Sequence, residues 1–185
     1  TRTVKSGAPS SPRFSLPVMA NVRPHNPRFW SPFLYLWLKL IHVVAVVAFL
    51  GNISSGLFWH SHAAQTRDPK LLAHVMDGIV RSDRMFTVPG VVVIIVAGVL
   101  LAVEGGLSLL GTPWISWSLL LFALSGAAFI WRIAPLQRRL LAMVREENFN
   151  YERYAVLALR WERWGAFALL TPAAALALMV LKPGA

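Results

Sequence analysis

The sequence contains no cysteine. That absence removes disulfides, thiolate nucleophiles and thiolate-held zinc or iron–sulfur centres together. Charge is scarce too: 14% of the 185 residues are Asp, Glu, Lys or Arg, against about 25% in soluble globular chains. Acids are the scarcer sign, eight against 18 bases. The charges gather in a few segments and leave four apolar stretches almost free of them, which excludes a soluble domain. With 56% hydrophobic residues and a mean hydropathy of +0.56, the class is a multi-span membrane protein. Four spans of about 20 residues each leave no room for a separate catalytic domain. A net charge of +10 would suggest nucleic acid in a soluble protein. At the edges of spans the same cations attract anionic headgroups, so the lipid bilayer, not nucleic acid, is the expected partner.

Residues 1–32 interleave prolines with Ser and Arg and cannot bury a core of their own. They predict an extended tail, held by other membrane protein subunits. Spans are expected at about 33–59, 85–103, 114–131 and 165–181, the first serving as the insertion signal. Between the first two, Leu71, Leu72, Val75, Met76, Ile79 and Val80 recur at helical spacing opposite Lys70, His74, Asp77 and Arg81, as in an interfacial helix. Residues 104–113 hold three Gly and one Pro and read as a reversal. Residues 132–163 carry seven Arg and four Glu around the break Glu146–Asn150, predicting a charged helical hairpin that extends spans three and four. The expected fold is thus all-α: an integral membrane four-helix bundle with a charged hairpin extension and an extended N-terminal tail. Seven of the eight Trp lie near span ends, an aromatic belt. Eleven Lys or Arg in the two long connections, against none in 104–113, place those connections in the cytoplasm.

The polar residue that stands out is His42, inside span one with Lys39 one turn before it. An ionisable group at membrane depth is costly and faces a bundle interior or a cofactor, and a neutral imidazole is an axial ligand for haem iron. His42 is therefore the candidate metal ligand for a haem b, with Lys39 and Arg84 as further cofactor-binding candidates, Arg84 through a propionate. The bland reading has His42 bonded to a neighbouring helix and Lys39 snorkelling to the headgroups. Spans two, three and four hold no His, so a bis-His site within one chain is excluded. His60 lies about 27 Å along the helix from His42, and with His62 and His74 offers only an unspecific peripheral metal site. Arg84 could equally pair with Asp83 or lipid phosphate. No phosphate-cradling Gly loop, Ser/His/Asp set or HExxH occurs, which points away from an enzyme.

The run Tyr35–His42, the stretch Ser82–Gly90, the segment Pro135–Arg139 and the closing Met179–Pro183 resemble, in order and spacing, an uncharacterised bacterial integral membrane family, domain of unknown function 2269. More distantly the chain is similar to membrane-bound protoporphyrinogen oxidase and copper-resistance D-type proteins. The oxidase resemblance implies that His42 ligates haem. The His and Lys that the oxidase pattern carries in span three are replaced here by Trp114-Ile115-Ser116-Trp117-Ser118. The function expected is that of a non-catalytic accessory subunit packing on a larger respiratory, photosynthetic or transport complex in the bacterial inner membrane. The alternative is a haem b redox protein using His42.

Overall fold

In the computed structural model, residues 31–183 are described; the expected tail, apart from its last two residues, lies outside them. The described residues are all helical or turn. Helix α1 spans Pro32–Ala64, and α2 (Pro69–Ser82) continues through a π-helical turn into α3 (Val88–Glu104). Helix α4 (Pro113–Ala128) continues through a second π turn into α5 (Ala134–Met143), and α6 spans Tyr151–Leu181. The result is four rods, Pro32–Ala64, Pro69–Glu104, Pro113–Met143 and Tyr151–Leu181, each long and apolar enough to cross a membrane. The segment expected as an interfacial helix is the outer part of the second rod.

Local chemistry explains where the rods begin, turn and end. Ser31, Asp68 and Asn150 each accept a backbone N–H of the first turn, and Pro opens three of the four rods, where its missing N–H costs nothing. The second rod stops at Gly106, whose φ of +65° lets the Leu107 N–H reach the Ala102 carbonyl, the glycine stop of a Schellman turn. Both π turns precede a proline. Pro89 and Pro135 have no N–H for the carbonyl four residues back, and their rings crowd it. A widened turn relieves this: the Val88 N–H reaches Asp83 and the Ala134 N–H reaches Phe129, five residues back.

The best-packed core lies at the charged end of the bundle. Leu72 and Met76 of α2, Leu140 of α5 and Tyr154 of α6 are fully buried there, joined by Ala63, Ala158 and Trp161. The charged hairpin is therefore present but not alone, because the end of α1 and α2 close against it. Toward the apolar end the backbones associate as pairs, α3 on α1 and α4 on α6. Phe49 meets Phe122 across the pairs at 5.6 Å, and Ala102 meets Trp114 and Ile115 near the reversal. Water drives apolar surface together, whereas lipid tails are as apolar as the side chains and supply no such drive. Packing density follows that difference.

Within the α4–α6 pair, hydroxyls take over from missing backbone donors. Pro172 sits inside α6 and cannot donate to the Ala168 carbonyl. The buried Ser125 Oγ of α4 donates to that oxygen at 2.8 Å, and two turns further on Ser118 Oγ, which donates to the Trp114 carbonyl of its own helix at 2.7 Å, also reaches the Ala175 carbonyl at 3.2 Å. In a bilayer such a carbonyl has no water to turn to. Ser125→Ala is expected to cost about 1–3 kcal/mol in unfolding from mixed micelles, and to cost much less in a Pro172→Ala background, where residue 172 supplies the donor. Equal costs in both backgrounds would show that Ser125 does not serve that carbonyl.

Candidate functional site: a buried carboxylate where the rods meet

The first π turn presents Asp83 and Thr87 inward, and both are buried. Asn52, from the middle of α1, donates from Nδ2 to Asp83 Oδ1 at 3.2 Å and to Thr87 Oγ1 at 2.9 Å. Thr87 Oγ1 donates to Asp83 Oδ1 at 2.8 Å. Gln137 of α5, 4% exposed, donates from Nε2 to Asp83 Oδ2 at 2.8 Å. Both carboxylate oxygens accept, the pattern of an ionised group. No cation pairs with Asp83 among the described ion pairs; three neutral donors hold it instead. The network bonds α1, the second rod and the third rod to one group.

A second polar cluster lies further into the charged end. His60 is fully buried, with Nδ1 3.0 Å from Glu162 Oε1 and Nε2 2.8 Å from the Tyr154 hydroxyl. An ionised Glu162 only accepts, which puts a proton on Nδ1 and leaves Nε2 to accept from Tyr154 when the ring is neutral. The Trp161 ring packs on the imidazole at 4.8 Å, and the Tyr151 hydroxyl donates to the Ala64 carbonyl at 2.9 Å. Helix α6 is thereby pinned to the end of α1.

The residues singled out in the sequence fare differently. His42 is half-buried and brings its Cε1 against Gly98 of α3: a Cβ there would stand 3.0 Å from its Cε1 and 3.5 Å from its Nδ1. Its Nδ1 is buried and makes no hydrogen bond of good geometry, with the Ile94 backbone within looser hydrogen-bonding range of the ring. Lys39 is exposed one turn away. Arg84 is exposed as well and stands beside the Asn52 level, ten residues and about 15 Å from His42 by the helical rise. The structure thus keeps Arg84 apart from the His42–Lys39 pair. Nor does Arg84 pair with Asp83, whose oxygens are taken by Asn52, Thr87 and Gln137. Together these residues offer one imidazole, pressed on Gly98, with Lys39 exposed on the same helix and Arg84 at another level.

The peripheral metal site is not assembled either. Both nitrogens of His60 are engaged, His62 stacks on Phe58, and among the described residues no group of three or more His, Asp or Glu could hold a metal. What sequence reading missed is the Asp83 network. Its signals were a lone Asn in an apolar span and an Asp and Thr four apart just before Pro89. Gln137, 54 positions from Asp83, carried no local signal.

Four apolar rods tied by an internal polar network define an integral, multi-pass membrane protein. Residues 36–183 match the family described as predicted integral membrane protein, domain of unknown function 2269, and the chain belongs to that family. No curated protein and no solved structure matches the chain.

Gln137→Leu removes one hydrogen bond to a charged group and is expected to cost about 1.5–3 kcal/mol. Asp83→Ala, which strips the acceptor from three donors, is expected to cost more. Unfolding in mixed micelles measures both. Arg84→Gln should change stability little, and a loss as large as that of Gln137→Leu would contradict the assignment of partners.

Proposed function

We propose that this protein is a non-catalytic accessory subunit of a larger complex in the bacterial inner membrane. The observation that carries the reading is the outer face of α1. Only 6% of its most apolar 18-residue stretch is buried, against 28% in α6. Along that helix Gly51 and Ser55 stand four apart and exposed, and nothing lies within 4 Å of a Cβ built on Gly51. Small residues at that spacing let a neighbouring helix approach closely; Gly51 faces open space, and Ser55 borders an open groove beside α2. The buried polar groups support the same reading. Asp83 and His60 are spent as structural ties, the first on Asn52, Thr87 and Gln137 and the second on Glu162 and Tyr154. The tail would add a second grip on the same complex.

The redox alternative, haem b held by His42 as the distant oxidase resemblance implies, is supported by the buried Nδ1 of His42, with the other axial position open or filled by Lys39, a partner residue or a second copy's His42. An absorption spectrum of the mildly solubilised protein separates the two. A Soret band lost in His42→Ala supports the alternative, and a colourless protein removes it. For the accessory reading the variant is Gly51→Leu. Its side chain enters open space, so melting of the purified chain should stay within about 0.5 kcal/mol of the parent, while recovery of stoichiometric membrane subunits from native membranes should fall at least tenfold. Recovery as a lone monomer, or unchanged association in Gly51→Leu, would count against it.

A further inference from the structure

Between the two polar clusters lies a cavity of about 30 Å³, lined among others by Asn52, Asp83, Gln137, Trp161, Gly165 and Ala168. Trp161 is 3% exposed, and its indole Nε1–H is buried without a hydrogen-bond partner. A buried donor left unmade costs about 1–3 kcal/mol, so a group at the protein's core should find an acceptor. Acceptors line the same space. The side-chain amides of Asn52 and Gln137 donate their N–H groups to the Asp83–Thr87 pair, which leaves their carbonyl oxygens without a donor among the described residues.

We propose that this cavity binds internal water, which accepts from Trp161 Nε1–H and donates to the Gln137 side-chain oxygen and the Asp83 network. Size and chemistry agree. A site needs about 10–15 Å³ and two to four polar partners to hold one water; the volume suffices, and Trp161, Asn52, Gln137 and Asp83 are among the residues around it. Glycine at position 165 keeps the wall thin, since a Cβ there would meet Leu57 Cδ2 at 2.7 Å.

A second, outer space borders the cavity. An outer groove of about 340 Å³ between α1 and α2 is lined by Trp59, His74, Ser55, Ser82 and Gly78, and it shares Asn52, Gly56 and Ile79 with the inner cavity. Asn52 therefore stands between the groove and the Asp83 carboxylate. The bound water extends the Asp83 network to α6, so that all four rods share one hydrogen-bonded centre.

The test is proton NMR of the full chain in lipid nanodiscs with labelled tryptophan. Eight indole N–H signals are expected from the eight Trp, and Trp161 is identified by the signal missing in Trp161→Phe, or by single-site labelling should that variant not fold. The expected result is direct magnetisation transfer from water to the Trp161 indole proton, falling to baseline in Gln137→Leu. An indole proton in contact with aliphatic protons alone would overturn the proposal. Transfer that is unchanged in Gln137→Leu would place the water elsewhere and overturn it as well.

Discussion

A single carboxylate fixes how three of the four rods meet. Asp83 accepts from Asn52 of α1, from Thr87 of its own rod and from Gln137 of the third rod, and among the described residues no cation pairs with it. Burying such a charge is expensive unless hydrogen bonds hold it. Each donor must therefore sit in place, and the depth of each rod relative to the others follows. The two prolines next to the π turns belong to the same constraint. By widening the helix ahead of Pro89, the first turn carries Asp83 and Thr87 inward together, and the second lies just before Gln137.

On either side of this level, different forces hold the helices. At the charged end, water drives Leu72, Met76, Leu140 and Tyr154 into a dense core, with His60 pinned between Glu162 and Tyr154. At the apolar end that drive is missing, and cohesion comes from close approach and backbone repair: Gly98 under His42, Gly90 under Phe49 and Ser125 on the carbonyl that Pro172 leaves without a donor. The apolar end remains two helix pairs with much of α1 uncovered, which is where a partner would add most.

Much of this architecture was legible in the sequence. The four apolar stretches and the Gly-rich reversal are local signals, and local physics suffices for them. The packed head was only half legible. Helical periodicity showed which faces of residues 70–80 and 136–161 are apolar, but not that α2 would close the hairpin. The polar centre escaped because its bonds join residues 31 and 54 positions apart, and charge neighbours such as Asp83 and Arg84 invite a pairing that the helix geometry does not make. His42 was visible as a polar residue in an apolar run. Where its ring lies was not, since that depends on the missing side chain at Gly98.

Amide hydrogen–deuterium exchange of the parent and Asp83→Ala, in the same nanodiscs, addresses the role of the carboxylate directly. If Asp83 ties the rods together, its loss should raise exchange at once in three separate places: around Asn52, through the turn Asp83–Thr87, and from Ile133 to Leu140. Faster exchange confined to the Asp83–Thr87 turn, with the other two unchanged, would contradict the account.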